Sequence, residues 1–219
     1  MRICFVLLQF SPCVGGSQVR AEKQARQLQA LGYEVTVLTL RLERGWKRAE
    51  ILDGLTVVRV GGIYKHGGQL RIGRLGHFPV DIAMFLALWR LRHSYDVIHV
   101  FQVSPLAAVA TLVGKLTQKP VIISVQNSGP SKLQKKQLEQ GAVLMADTLT
   151  ETSFLNLEFK DWVAETDDIT ALPQTALAGG AILNFLRKSN AYYQVLSNRG
   201  YESLISHGFR ARQIVHISG

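Results

Sequence analysis

Two adjacent glycines, Gly15 and Gly16, stand between an apolar run and an amphipathic one near the start of this 219-residue chain. If a helix begins there, its first backbone N–H groups lack partners within the helix and carry partial positive charge. Both properties suit a phosphate, and glycine removes the side chain that would hold an anion away from the main chain. A tight turn that needs glycine for its dihedrals is the plainer reading, and the pair alone does not separate the two. Ser17 is placed to cap the helix. Other polar side chains recur where apolar segments end. His99 lies late in the run 96–101, with Gln102 and Ser104 just after it; Gln126, Asn127 and Ser128 follow the run 121–125; Ser197 and Asn198 follow the run 192–196.

The surrounding pattern predicts what must position these residues. Residues 3–8 are apolar, too few to span a membrane and suited to a buried strand. Ala21, Ala25, Leu28 and Leu31 recur at helical spacing, Gly32 is a helix-terminating glycine, and residues 33–39 read as a second buried strand. A strand–helix–strand crossover makes its two strands parallel, and such sheets bind ligands at the carboxyl ends of their strands. Residues 41–50 read as charged and irregular, Asp53-Gly54 as a turn, and residues 55–60 as a third strand. A glycine-rich loop over 61–76 holds Lys65, His66, Arg71 and Arg74; it is either a solvated linker or a loop for an acidic ligand or membrane surface. Pro79 opens a helix to about Arg92 with Ile82, Phe85, Leu86 and Trp89 on one face.

Strand 96–101, a helix over 106–116 opened by Pro105, and strand 121–125 continue the alternation. A basic run covers 131–137, and an acidic stretch of weak pattern extends from 139 to about 178. Helix 181–188, strand 192–196, helix 198–207 ended by Gly208, and strand 214–217 complete the chain. The expected fold is α/β, a doubly wound, mostly parallel sheet flanked by helices.

With 47% apolar residues the chain can build a real core, and its formal net charge of +9 favours an acidic partner. A phosphorylated ligand, an anionic membrane surface and nucleic acid all qualify, but no interleaved aromatics or reading motif supports specific nucleic-acid binding. Cys4 and Cys13 have neither metal nor redox spacing, which makes free thiols in a reducing, cytoplasmic compartment the expectation. The N-terminal run is too short for a signal peptide and lacks a small-residue cleavage site. A nicotinamide dehydrogenase would need a third glycine and an acidic residue ending the second strand, where Thr39-Leu40-Arg41 stands instead. The Gly-Lys-Ser/Thr of a P-loop, a zinc cluster and a nucleophile elbow are all missing from the sequence.

Three segments, in order, carry a resemblance. GGSQVRAEKQARQLQALGYEVTVLT resembles the opening of family 4 retaining glycosyltransferases of GT-B architecture. YDVIHVFQVSPLAAVATLVGKLTQKPVIISVQNSG resembles that family's strand–helix–strand with histidine-containing loops, and NAYYQVLSNRGYESLISHGFRARQIVHIS resembles the end of its first domain. The resemblance implies a Rossmann-like, acceptor-side domain over residues 1–219, with the donor-binding second domain lying beyond this chain and the fragment inactive alone. It implies transfer of a sugar from a nucleotide-sugar donor to a glycan, a lipid-linked or a small-molecule acceptor, without a metal or other cofactor. The enzyme would be cytoplasmic, with peripheral contact at the inner face of the plasma membrane open to a lipid-linked acceptor. Gly15, Gly16 and Ser17 would approach the donor phosphates. Gln126 falls where many members have a histidine near the reacting sugar; glutamine hydrogen-bonds but carries no proton at neutral pH. Gln126 and His99 are the candidate catalytic residues, and Gln102, Ser104, Asn127 and Ser128 the candidate acceptor contacts. His99 is equally read as a packed structural histidine, and Ser197 and Asn198 as helix-capping residues. The glutamine also leaves open a non-catalytic binding module on a degenerate transferase fold.

Overall fold

The computed structural model describes residues 1–13, 16–61, 65–66, 69–70, 77–101, 103–125, 179–195 and 198–217. Among them β1 (Arg2–Val6), α1 (Gly16–Ala30) and β2 (Glu34–Leu40) form the expected first crossover. β3 (Ala49–Leu52) and β4 (Leu55–Val60) follow, then the two-residue strands β5 (Lys65–His66) and β6 (Gln69–Leu70). α2 (His77–Arg90), β7 (Val97–Val100), α3 (Pro105–Thr117) and β8 (Val121–Val125) come next. α4 (Gly179–Lys188), β9 (Tyr192–Val195), α5 (Asn198–Ser206) and β10 (Ile214–His216) end the described chain.

Eight strands make one sheet in the order β10-β9-β8-β7-β1-β2-β4-β3, parallel except for the antiparallel edge strand β3. β5 and β6 form a separate antiparallel pair. The chain adds strands outward from β1 in one direction, then crosses from β4 to β7 and adds strands in the other. The order therefore reverses between β1 and β7, and the crevice beyond their carboxyl ends is where such sheets take ligands.

Both faces of the sheet are covered, which explains the near-continuous apolar strands. On one face Ile3, Phe5, Val35, Val37, Leu55 and Val57 pack with Ala21 and Ala25 of α1. On the other, Cys4, Val6, Leu38 and Val100 join a cluster with residues of α2, α3 and α4. α1 ends as its glycine requires. Gly32, at φ +83°, donates to Gln29 O and Tyr33 donates to Leu28 O, the paired bonds of a left-handed helix stop, while Leu28 and Tyr33 pack on the core. At the end of α3, Gly114 lies against β8, and a Cβ there would meet Lys119 O at 2.9 Å as well as the Val121 side chain.

Several expectations need correction. α1 begins at Gly16, so Ser17 is inside its first turn rather than capping it, and its hydroxyl donates to Gln18 Oε1 at 3.0 Å. Leu31, the last residue before the chain turns at Gly32, is exposed. The last two residues of the segment 41–50 read as irregular belong to β3 (Ala49–Leu52), joined to β4 by Asp53-Gly54, both with positive φ (+46° and +84°), as a tight hairpin demands. The face of α2 holding Ile82, Leu86 and Trp89 points outward, and Val80, Met84 and Leu88 are the buried stripe. The acidic stretch 139–178, the basic run 131–137, and Arg71 and Arg74 lie outside the described residues.

Candidate functional site

The reversal point is bordered by the segments that follow β1 and β7. The first begins with Leu7, whose N–H donates to Leu38 O, and Leu8, whose carbonyl accepts from Leu40 N–H. It then turns, with Cys13 N–H donating to Phe10 O, before α1 opens at Gly16. The carbonyl of Ser11 in this turn accepts from Arg59 Nη2 at 2.7 Å. Arg59 is only 2% exposed. Its Nη1 donates to Lys47 O at 3.3 Å and pairs with Glu50, and the guanidinium carbon lies 5.2 Å from the Trp46 ring centre. A buried, planar donor thus ties the approach to the glycine pair to the β3–β4 hairpin, satisfying several acceptors as a forked cation can. Arg59 was not singled out from the sequence; its one available signal was a charged residue between Val58 and Val60 in an apolar strand.

The second segment carries Ser104, which precedes α3 with extended backbone (φ −153°, ψ 173°). Its carbonyl accepts from Ala107 N–H, but its hydroxyl makes no cap bond and is buried without a partner. A buried hydroxyl without a partner is costly. At the sheet's ligand edge, it is a group able to bond a bound molecule.

From β7 outward, away from β1, a polar chain crosses three adjacent strands. His99 of β7, Ser124 of β8 and Gln194 of β9 are all buried. Ser124 donates its single proton to Gln194 Oε1 at 3.0 Å, so it must accept from His99 Nε2–H at 2.8 Å. The imidazole stacks on Phe101 with centroids 4.5 Å apart and meets Phe5 edge-on at 5.2 Å. Burial lowers its pKa to about 4; the contact with Gln194 opposes this, and the positive charge of Arg20 adds to it. His99 is therefore neutral at physiological pH and already bonded. Arg20, one turn into α1, is close enough to act electrostatically on this ring and was also missed from the sequence.

Asp81 in α2 is a third residue the sequence reading passed over. One carboxylate oxygen is buried without a partner, and burial raises its pKa to about 6. Cys4, by contrast, is inert: its thiol is fully buried and pushed up to about 12.

The structure thus places Gly16 and Ser17 at the start of α1, after β1, Ser104 just before α3, after β7, and His99 buried within β7. Asn198 opens α5 and is exposed. Gly15, Gln102, Gln126, Asn127, Ser128 and Ser197 lie outside the described residues.

A family model described as a glycosyl transferase 4-like domain matches residues 15–154, more than half of the chain. The chain belongs to this glycosyl transferase 4-like family. No curated protein matches it. Among solved structures, it is similar to a sucrose-phosphate synthase from Thermosynechococcus elongatus at 12% identity and a TM-score of 0.53, over 100% of this chain and 89% of that one. It is similar to Anabaena HepE, solved in complex with UDP, at 12% identity and a TM-score of 0.54, over 100% of this chain and 44% of that one. The catalytic domain of starch synthase IV from Arabidopsis thaliana, bound to ADP and acarbose, matches at 14% identity and a TM-score of 0.53, over 99% of this chain and 51% of that one. At such identities the likeness is one of fold: the glycosyl transferase 4-like chain has the Rossmann-like sheet of a GT-B half. It spans less than half of HepE and about half of the starch synthase chain.

Proposed function

We propose that this chain is the acceptor-side half of a retaining glycosyltransferase. It would work with a donor-binding domain to move a hexosyl group from a nucleotide sugar to a glycan, lipid-linked or small-molecule acceptor. The observation that carries the reading is the start of α1 at Gly16, on the segment after β1 and beside the reversal of strand order. The nucleotides bound by HepE and the starch synthase, UDP and ADP, make a nucleoside diphosphate the natural leaving group to consider. As the glycosidic bond to that group breaks, negative charge grows on the diphosphate. Fixed backbone N–H groups at a helix N-terminus stabilise such charge without reorganising. Gly15, Gly16 and Ser17 take this role in our reading.

Gln126 orients a donor hydroxyl rather than transferring a proton. His99, neutral and bonded to Ser124, holds the crevice floor rather than exchanging a proton. Ser104, with its unpartnered hydroxyl, is assigned to the acceptor, together with Gln102, Asn127 and Ser128. The reaction, as proposed, uses no metal or cofactor and takes place in the cytoplasm.

The test is turnover of UDP- and ADP-sugars by the complete protein, with Gly16→Asp beside the wild type. The substitution places bulk and negative charge against the phosphates, and we expect activity to fall at least about a hundredfold. An unaffected rate removes the assigned role. The 219-residue chain alone should transfer nothing. A second reading, a non-catalytic binding module, rests on Gln126, which carries no proton at neutral pH, standing where the family resemblance implies a histidine. It is favoured if the complete protein turns over no donor and Gln126→His restores turnover.

A further inference from the structure

We infer that the outer surface of the α2–α3–α4 layer docks on an anionic lipid bilayer. α2 packs on α3, and α3 on α4, so the three helices form one side of the molecule. Each presents large apolar side chains to solvent: Ile82, Leu86 and Trp89 from α2, Leu112 and Leu116 from α3, and Phe185 from α4. The exposure is substantial, 44% for both Ile82 and Leu86 and 55% for Leu116. Trp89 is stacked parallel to Phe85, with ring centres 6.3 Å apart, and the Arg92 guanidinium lies 4.9 Å from the Trp89 ring. Apolar side chains shown to water at several points of one layer mark an interaction surface rather than scattered exposure.

Charge decides the occupant. Arg90, Lys115, Arg187 and Lys188 are exposed on the same three helices. α3 and α4 contain no acidic residue, and α2 contains only Asp81, which is half-buried. A second copy of this face would set like charges against each other, whereas a bilayer with anionic headgroups neutralises them while its interface takes up the apolar side chains. On the opposite layer, α1 differs in that its Arg26 is ion-paired with both Glu22 and Asp53. Among the described residues no helix is long and apolar enough to cross a membrane, so the contact is peripheral. This surface stands independently of the transferase reading.

The experiment is co-sedimentation of the full chain with phosphatidylcholine vesicles that contain or lack phosphatidylglycerol. The expected result is binding only where phosphatidylglycerol is present, weakened by salt. Leu86→Glu and Trp89→Glu should each reduce it about tenfold or more, Lys115→Glu severalfold, and Lys23→Glu on α1 hardly at all. These are exposed positions, and unchanged circular dichroism separates lost binding from lost folding. No binding to phosphatidylglycerol vesicles overturns the proposal. So does an equal loss from Lys23→Glu, which would mean net charge alone, or vesicle-free sedimentation showing a dimer that Leu86→Glu dissociates.

Discussion

Arg59 Nη2 donates to the main-chain carbonyl of Ser11 at 2.7 Å, across a separation of 48 residues, and so fixes the turn that leads to α1. The same guanidinium is paired with Glu50 and reaches Lys47 O. Removing it leaves three acceptors short of a donor. Arg59→Met should destabilise the chain by about 3 kcal/mol, toward the lower end for a broken buried pair because Glu50 keeps some contact with water. Arg59→Lys should recover little, since an ammonium cannot reproduce the fork. Chemical denaturation gives the energies, and faster amide exchange in residues 7–13 would report the freed turn. An Arg59→Met chain of wild-type stability would contradict the assignment.

His99 gives a pH dependence whose sign follows from its lowered pKa. In the unfolded chain the imidazole takes up a proton near pH 6.5, and in the folded chain only near pH 4. Stability is therefore complete above about pH 6.5 and falls as pH drops toward about 4, by up to about 3 kcal/mol. Replacing His99 with Phe should flatten the stability profile in that window. In the wild type, imidazole NMR signals should keep the Nε2–H neutral form down to about pH 5. Ser124→Ala should cost about 1–3 kcal/mol by removing the hydroxyl that accepts from that buried N–H at 2.8 Å.

Asp81 acts in the opposite sense. Its carboxyl, raised from about 4 to about 6 by burial, favours the protonated native state, so stability declines as pH rises through that interval. Asp81→Asn should stabilise the chain at neutral pH by about 1 kcal/mol, a figure discounted because the group is only half-buried. The advantage should vanish below about pH 4, where the native aspartate is itself neutral. Thermal melts of both chains at two pH values test this, and equal melting at neutral pH would contradict it.

Much of the architecture could be read without coordinates because its signals are local. The helix over 106–116 and the strand over 121–125 were legible from periodicity and from Pro105 and Pro120, and they match α3 and β8 within a residue or so. Gly32 terminates α1 through hydrogen bonds made within its own turn. β3 was not legible: its exposed residues Ala49 and Ile51 carry no apolar alternation beyond the hairpin that pairs them with β4. The glycine pair marked the start of α1, but neither Arg59 nor Asp81 had a local signature that set it apart.

By itself, the sequence determined the order of the parallel strands and of the helices between them, the helix stop at Gly32, and the family resemblance that residues 15–154 bear out. These depend on neighbours along the chain, where repeat spacing and backbone preference act directly. Only the tertiary structure decided that α2 buries Val80, Met84 and Leu88 while exposing Ile82 and Leu86, since a helix apolar on most sides has no inward face until another element packs on it. The fold likewise decided that His99 is neutral and that Arg59 holds Ser11. Desolvation and hydrogen bonding at those positions come from residues distant in sequence, and only folding brings them together.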